Sequence, residues 1–225
     1  MPEKKTRNSQ KGPKTRELIF ETAIALFQRQ GFDQTTMRDI ATASGVALGN
    51  TYYYFRSKEH LVLALYEHTL ELQLSRIDEI LARETAFPAR LQAVLQSNIE
   101  VLQPYNSVLR ALFRLAGDPT SSLNPFGTET HSIRIRAQSI FARIAQGTDK
   151  LLSPAVRADL PEFLWLCYMG IILFWLYDQS PECTKTQKLI SRTSELSDFI
   201  LSIAAIPMMN KVLEMVAKML NELRH

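Results

Sequence analysis

The chain has 225 residues, of which 46% are hydrophobic and 22% charged, and its formal net charge is +3. These values are typical of a soluble globular protein with one large domain or two smaller ones. The two cysteines, Cys167 and Cys183, have no metal-ligand spacing and form no CxxC motif. They therefore favour a reducing cytoplasm over a disulfide scaffold. The N-terminus has no apolar h-region, so no signal peptide is predicted.

The charge is distributed unevenly along the chain. Residues 1–60 hold ten Lys and Arg against six Asp and Glu, a net charge of +4, whereas the remainder has 16 against 17, a net charge of −1. A basic N-terminal quarter on a near-neutral body predicts that the N-terminal part of the protein meets a polyanion.

The first elements are a tail and a helix. Residues 1–13 are polar and basic and are predicted to form a flexible arm. Apolar residues then recur with the 3.6-residue period over 14–30, which predicts a helix, and Gly31 is a suitable residue to end it.

Three further helices are predicted before residue 70. One begins after Thr36, where Asp39 occupies the capping-box position, and ends at Gly45. A short helix follows over 48–54, and Ser57 then caps a long fourth helix.

The rest of the chain also has helical periodicity, and sustained strand-like alternation does not occur. The predicted segments are 88–102, 106–116, 127–146, 154–178, 184–205 and 207–223, with a loop over 117–127. The predicted fold class is all-α. A three-helix N-terminal domain, residues 14–62, is joined by the long fourth helix to a larger helical bundle, residues 63–225.

One segment is apolar enough to raise the question of a membrane. Phe163–Tyr177 is a run of fifteen apolar residues bounded by Glu162 and Asp178. A membrane-spanning helix needs about 20 such residues. The run is therefore predicted to be a helix buried on all sides in protein, and no membrane partner is expected.

Three tyrosines stand in a row at Tyr52, Tyr53 and Tyr54. Successive side chains of a helix are about 100° apart, so a short helix in a small domain cannot bury all three. The two short helices are separated by ASGV, which is the layout of a helix-turn-helix. Ala41 is small enough for a close helix crossing, and Val46 and Phe55 are predicted to be core residues.

The run T-T-M-R-D-I-A-x-x-S-G-V-x-x-G-x-x-Y-Y-Y-F-x-S-K-E-x-L resembles the N-terminal DNA-binding domain of the TetR family of bacterial transcriptional regulators. The resemblance covers about residues 15–65 and includes the preceding ETAIALFQRQGFDQTT. It implies an all-helical body, a homodimer and a small-molecule effector site.

The resemblance also implies which residues contact DNA. Tyr52 and Tyr53 would contact phosphates, and Tyr54 stands at a position that is often histidine. Lys58 would pair with another phosphate, and Thr36 would bring its hydroxyl and the helix-end N–H groups to a further one.

Base reading would fall to Arg38 and to the start of the recognition helix. The residues there are Ala47, Leu48, Gly49 and Asn50. Arg38 can pair with guanine and Asn50 with a base edge, whereas Leu48 and Gly49 depart from members with a polar residue and leave the operator sequence open. The arm would follow the DNA backbone or enter the minor groove with Lys4, Lys5, Arg7, Lys11 and Lys14.

Each of these assignments has a structural alternative. The three tyrosines can be half-buried packing, and Arg38 can form a surface ion pair with Asp39 or Glu59. The basic arm can be a solubilising tail.

In the body, an effector cavity and a dimer seam are expected on different faces of the helix over 154–178. The residues assigned to the cavity are Phe113, Phe141, Trp165, Tyr168, Ile172 and Trp175, with plain core packing as the alternative. The residues assigned to the dimer interface are Gly170, Tyr177, Leu189, Leu196, Ile200 and Ile203, together with the last helix (Val212, Leu213, Val216, Met219 and Leu220).

The expected function is that of a homodimeric repressor that binds a palindromic operator and is released by a small, largely apolar, hydrophobic or aromatic effector. There are two alternatives to a repressor: an activator with the same fold, or a helical interaction protein that does not bind DNA. The four histidines are scattered and no nucleophile motif or phosphate loop is present, so neither catalysis, a metal nor a cofactor is expected.

Overall fold

The computed structural model describes residues 11–206 and Met215, and the part described contains helices and turns without a strand. The predicted all-α fold class is confirmed. The described residues form two compact units: one comprises residues 11–68 with Tyr105–His131, and the other Thr69–Pro104 with residues 132–206. The predicted helix over 207–223 and its dimer residues lie outside the described residues, as do Lys4, Lys5 and Arg7.

The first unit contains α1 (Lys11–Gln30), α2 (Met37–Ser44), α3 (Leu48–Tyr54), the start of α4 (Lys58–Arg83) and α6 (Asn106–Ala116). The prediction that residues 11–13 belong to a flexible arm is wrong, because α1 begins at Lys11. Gly12 and Pro13 look like helix breakers in the sequence. In the first turn, however, proline loses only an N–H that has no partner within the helix.

Local chemistry fixes the two short helices. Thr36 and Asp39 form the predicted capping box at the start of α2, and Gly45 ends that helix with a left-handed φ of 66°. Glycine adopts this conformation at little cost, so the chain can turn sharply into α3.

A hydrophobic core holds these helices together. It includes Ile19, Ala23, Phe27, Ile40, Phe55, Leu61 and Leu65, with Val108 and Leu112 of α6 and Leu123 of the following loop. Val46 packs against this cluster, and Ala41 is 4% exposed, as predicted.

The second unit contains the rest of α4, α5 (Phe87–Leu102), α7 (His131–Ala145), α8 (Pro154–Tyr177) and α9 (Thr184–Ala204). Helix α7 begins four residues later than predicted. Residues 124–130 instead form turns, in which the Thr130 hydroxyl donates to the Asn124 carbonyl at 2.5 Å and the Phe126 N–H donates to the Asn124 side chain at 2.7 Å.

Helices α4 and α7 lie parallel to one another. Arg136 pairs with Glu71 at 2.5 Å, and one heptad further along both helices Arg143 pairs with Asp78. In the same unit, α5 packs against α9.

Helix α8 has two different faces. Leu164, Trp165, Tyr168, Ile171, Trp175 and Leu176 are buried, whereas Phe163, Leu166, Leu173, Phe174 and Tyr177 are exposed. The prediction that this helix is buried on all sides is therefore wrong for the single chain. Within the described part of the chain, α8 alone is long and apolar enough to cross a membrane by length and composition, but its tryptophan-rich face is buried within the second unit.

The connection from α8 to α9 is organised around one carboxylate. Asp178 accepts hydrogen bonds from the backbone N–H and the hydroxyl of Ser180 and from the same two groups of Thr186, at 2.6–2.9 Å. Partial burial by itself raises the pKa of the Asp178 carboxyl, but these hydrogen bonds outweigh it and hold that pKa below its usual value.

Replacing Asp178 with Asn should lower the free energy of unfolding at pH 7 by about 1 kcal/mol, because the neutral amide accepts more weakly from the first turn of α9. The folded-state pKa lies below the unfolded value, so this stabilisation is full above about pH 4–5 and is lost as pH falls further. Urea unfolding at pH 7 and pH 3.5 should show the difference between wild type and variant shrinking at the lower pH.

Asp149→Asn is the matched control, since that exposed carboxylate lies 3.7 Å from the Lys150 ammonium and contributes little. A difference for Asp178→Asn that is the same at both pH values would contradict the assignment.

Candidate nucleic-acid interface

Helix α3 presents two of its three tyrosines to solvent. Tyr53 is 80% exposed and Tyr52 is 47% exposed, while Thr51 and Phe55 are buried beneath them. Half-buried packing, the alternative considered for the tyrosines, therefore does not describe Tyr53. A rigid, seven-residue helix holds two phenol hydroxyls outward, where each can donate a hydrogen bond to an acceptor on a partner.

Tyr54 has a different environment from its neighbours. Its ring is half-buried against the core of the first unit and meets the Tyr53 ring edge-on, with centroids 5.2 Å apart. A Cβ built on Gly12 would lie 3.7 Å from the Tyr54 hydroxyl, so this phenol lies beside the first turn of α1. Tyr54 thus connects α3 to α1 and holds the Tyr53 ring in place.

The residues assigned to base reading are mostly accessible. Arg38, Ala47, Gly49 and Asn50 are exposed, whereas Leu48 is half-buried and packs against the core. Only part of the Leu48 side chain is available to a partner. Arg38 makes no ion pair with any residue that the structure describes, so the alternative of a surface pair with Asp39 or Glu59 is not found.

Thr36 is exposed at the start of α2, but its donors are engaged. The Thr36 N–H and hydroxyl both donate to Asp39 Oδ2, at 2.8 and 2.7 Å. These hydrogen bonds lower the pKa of the Asp39 carboxyl, with a smaller contribution from the Arg38 guanidinium, so the carboxyl stays ionised. A phosphate contact by the Thr36 hydroxyl requires this bond to open.

Lys58 begins α4 and is tied to the turn after α1. Its ammonium donates to the Phe32 carbonyl at 2.6 Å and lies 3.5 Å from the Asp33 carbonyl and 4.3 Å above the centre of the Phe32 ring. The sequence could not reveal this contact, because the partners are 26 residues apart. Lys58 therefore has a positioning role in the fold besides the phosphate contact that the sequence suggested.

The electrostatics of this surface favour an anion. Helix α3, LGNTYYY, contains no carboxylate, and Arg38 and Arg56 are exposed nearby in the chain. Arg16 of α1 lies with its guanidinium 4.8 Å from the centre of the Phe55 ring, a cation–π contact that fixes another positive charge in the first unit. Among the residues described, no group of three or more His, Cys, Asp or Glu is arranged to hold a metal ion.

The residues assigned to an effector cavity are divided between the two units. Phe113 lies in the first unit on α6. The others lie in the second unit, where Phe141, Trp165, Tyr168 and Trp175 are buried and Ile172 is half-buried.

Two hydrogen bonds join polar side chains of the second unit. The Gln73 amide donates to the Tyr168 hydroxyl at 2.9 Å, and the Trp175 indole N–H donates to Gln103 at 3.1 Å. The Phe141 and Tyr168 rings pack with centroids 5.7 Å apart, and burial raises the pKa of the Tyr168 phenol.

One buried polar residue of the second unit was not predicted from the sequence. Asn98 is 2% exposed, and its Nδ2 has no hydrogen-bond partner among the described residues. The sequence does contain a signal for a buried polar residue here. Asn98 interrupts an otherwise apolar helical row formed by Leu91, Val94, Leu95, Val101 and Leu102.

The residues assigned to a dimer interface are accessible to different extents. Gly170, Tyr177 and Leu196 are exposed, while Leu189, Ile200 and Ile203 are half-buried. Phe199 and Ile206, which were not assigned, are also exposed on α9 and its C-terminal end. The face of α9 that packs within the unit consists instead of Thr186, Ile190, Ser194, Ser197, Leu201 and Ala204.

Comparison with known proteins finds relatives in both parts of the chain. Residues 19–65 match the family described as bacterial regulatory proteins, tetR family, and residues 90–219 match the tetracyclin repressor-like C-terminal domain. The HTH-type transcriptional repressor KstR2 of Mycobacterium tuberculosis is 33% identical over 90 residues, which is 40% of this chain and 44% of that protein. The chain thus matches less than half the length of that relative.

Two further comparisons concern proteins of Bacillus subtilis. Its fatty acid metabolism regulator protein is 25% identical over 159 residues, covering 60% of this chain and 81% of the relative. The crystal structure of FadR from Bacillus subtilis in complex with stearoyl-CoA superposes with a TM-score of 0.61 at 18% identity, covering 79% of this chain and 96% of that one. At this identity the superposition shows the fold.

The predicted family resemblance is confirmed. Since the C-terminal match alone covers more than half of the 225 residues and the N-terminal match includes the whole helix-turn-helix, the chain belongs to the tetR family of bacterial regulatory proteins.

Proposed function

We propose that this protein is a ligand-responsive transcriptional repressor of the bacterial cytoplasm that binds a palindromic operator as a homodimer. The observation that carries the proposal is the 80% exposure of Tyr53 on a short helix anchored by Thr51 and Phe55. An aromatic ring at this exposure contributes little to folding, whereas its hydroxyl is well placed to donate to a DNA phosphate.

The remaining contacts follow from the accessible residues of α2 and α3. Tyr52 adds a second phosphate contact. Arg38 and Asn50, both exposed, read base edges, with Ala47, Gly49 and the accessible part of Leu48 close to the groove floor. Tyr54 and Thr36 act mainly by positioning α3 and α2, because the first is half-buried and the second is committed to its cap.

The sign of regulation rests on relatives. KstR2 is named a transcriptional repressor, which favours repression over activation by the same fold. The relatives are regulators, so the proposed activity is binding without catalysis.

Replacing Tyr53 with Phe should weaken operator binding by roughly tenfold or more, because each copy loses a hydrogen bond to a charged phosphate. The slope of log affinity against log salt should stay the same, since no cation is removed. A gel-shift titration over several salt concentrations, on a fragment selected from a random DNA pool, measures both quantities.

Tyr105→Phe removes a hydroxyl from the same unit outside α3 and should leave affinity unchanged. Equal affinities for Tyr53→Phe and wild type on every selected fragment would rule out the assigned phosphate contact.

Lys58→Met tests the two roles of that lysine together. The Phe32 and Asp33 carbonyls engage two of the three ammonium N–H groups, which leaves one for a phosphate. We expect the free energy of unfolding to fall by about 1–2 kcal/mol and the magnitude of the salt slope to fall by about one for each bound head. Urea unfolding and the salt-dependent gel shift measure the two effects separately.

Lys14→Met, on the exposed side of α1, is the control for stability, which it should leave unchanged. If Lys58→Met unfolds at the same urea concentration as wild type, the positioning role is wrong.

The effector of the proposed repressor is a small, largely apolar molecule that binds in the second unit. Phe141, Trp165, Tyr168 and Trp175 supply an aromatic interior without a buried charge among the described residues. The Bacillus subtilis FadR structure contains stearoyl-CoA, and a FadR from Thermus thermophilus contains lauroyl-CoA, which favours a long acyl chain as the apolar part.

Helix α4 is the route by which such an effector would act. It is continuous from Lys58 to Arg83, so it carries core residues of the first unit and, through Gln73, a buried hydrogen bond to Tyr168 in the second. A ligand that displaces Tyr168 or Gln73 favours another position of α4. Release from DNA requires only that the ligand bind this second arrangement more tightly.

The proposed homodimer uses the apolar faces that the single chain leaves exposed. Helices α8 and α9 pack against one another, and each has such a face, formed by Phe163, Leu166, Gly170, Leu173, Phe174 and Tyr177 on α8 and by Leu196, Phe199 and Ile206 on α9 and its C-terminal end. Exposed apolar stripes of this extent mark interaction sites, and a two-fold axis would pair them with their own copies. Leu189, Ile200 and Ile203 border the α9 stripe.

Leu196→Glu should raise the dissociation constant of the dimer by at least about tenfold, because two carboxylates would be buried near the symmetry axis. Light scattering after size exclusion measures the mass at several concentrations. Leu151→Glu is the matched control, since Leu151 is 86% exposed and lies outside both stripes. If Leu196→Glu remains a dimer at every concentration where wild type does, the seam is not on this face.

A further inference from the structure

One side chain in the second unit is buried without the partner that its chemistry requires. Asn98 lies on α5, is 2% exposed, and its Nδ2 has no hydrogen-bond partner among the described residues. The residues one helical turn away on either side, Val94, Leu95, Val101 and Leu102, are all buried and apolar. A two-proton donor therefore stands in an otherwise apolar row of its own helix.

This arrangement opposes folding. A buried N–H without an acceptor destabilises the folded state, and an apolar side chain of similar size would avoid that cost. Other interior polar side chains of the unit do have partners. Gln73 donates to Tyr168, Trp175 donates to Gln103, and the Ser194 hydroxyl donates to the Ile190 carbonyl at 3.0 Å. A buried group that is left unpaired in this setting calls for a functional explanation.

We propose that Asn98 Nδ2 is the hydrogen-bond donor that recognises the carbonyl oxygen of a long-chain acyl group in the effector. The assignment rests on the proposed function, in which a largely apolar effector binds inside the second unit. The carbonyl oxygen of the effector supplies the missing acceptor, so this hydrogen bond stabilises the complex with the effector relative to the free protein. It also selects a chain that carries an oxygen over a plain hydrocarbon.

The surroundings select a neutral acyl group over a free acid. The buried polar residues described in the second unit are Thr69, Gln73, Asn98, Thr186, Ser194 and Ser197, none of which carries a charge. A carboxylate at Asn98 would be desolvated without a counter-charge, which is costly. A thioester, ester or amide carbonyl pays no such penalty.

Two probes that differ by one oxygen atom test this directly. Stearoyl-CoA has a thioester carbonyl, whereas the octadecyl thioether of CoA has the same nucleotide and an equally long chain without that oxygen. Dissociation constants are measured by calorimetry for wild type, Asn98→Leu and Asn98→Gln, with Gln96→Leu as the control, since Gln96 lies on the same helix and is half-buried. Sodium stearate is the third probe.

We expect wild type and Gln96→Leu to prefer the thioester to the thioether by about tenfold, the effect of one buried hydrogen bond. Asn98→Leu should bind both with equal affinity, and stearate should bind wild type more weakly than the thioester. Without ligand, Asn98→Leu should be at least as resistant to urea as wild type. Asn98→Gln, which keeps the donor, should retain part of the preference.

The contrary outcomes are distinct. If wild type binds none of the three probes, the acyl effector itself is wrong, and this assignment with it. If wild type prefers the thioester and Asn98→Leu keeps that preference, only the role of Asn98 is overturned. Tighter binding of stearate than of thioester overturns the neutral acyl group. If Asn98→Leu unfolds more easily than wild type or fails to fold, Asn98 has a structural partner and the assignment is wrong; the thioester–thioether comparison in wild type still tests the acyl recognition.

Discussion

The burial of Thr51 and Phe55 beneath α3 is the constraint on which the proposed reading of DNA depends. A seven-residue helix is too short to be stable alone in water, where about 12–15 residues are needed. Its geometry comes from packing against α2 across the Gly45 turn and from the core around Ile40, Leu61 and Leu65. Tyr52 and Tyr53 can be held in a defined outward position only because the opposite side of the helix is fixed by packing. The same core leaves Tyr54 half-buried, so identical side chains in a row have different environments.

Much of the fold could be predicted from the sequence, and the exceptions have identifiable causes. The capping box predicted the start of α2 and the ASGV turn predicted the start of α3, because both are local signals. The start of α1 was misplaced because a Gly-Pro pair is a breaker inside a helix but harmless in its first turn. Contacts between distant residues, such as Lys58 with Phe32 and Gln73 with Tyr168, leave no periodic trace and could not be foreseen. The residues proposed to contact DNA were predicted from a family motif, whereas Asn98 was not predicted although its polar side chain interrupts an apolar row.

The prediction that α8 is buried on all sides was also wrong for a physical reason. A continuous apolar run predicts that a helix is surrounded by apolar material, but it does not say which molecule supplies it. In the single chain, Trp165 and Trp175 are buried by the second unit itself, while Phe163, Leu173 and Tyr177 are not. An apolar run with one exposed face is typical of a subunit interface, since that face becomes interior only when a partner is present.

This division of α8 has a mechanical consequence for the proposed repressor. No residue between Phe163 and Tyr177 is charged, so this run is held by packing and by hydrogen bonds such as Gln73 to Tyr168 and Trp175 to Gln103. The buried face contacts the interior through Tyr168, whose hydroxyl is bound to Gln73 of α4, and the other face forms the proposed seam. A ligand that separates Tyr168 from Gln73 therefore changes the position of α4 directly. It affects the position of α8 only through the altered packing around that helix. Well-packed interfaces tend to have discrete arrangements, so the proposed seam resists a small displacement at Tyr168. Helix α4 is continuous over 26 residues, and it transmits such a displacement more readily than the seam absorbs it. The proposed dimer can thus stay intact while its two DNA-binding units change their spacing.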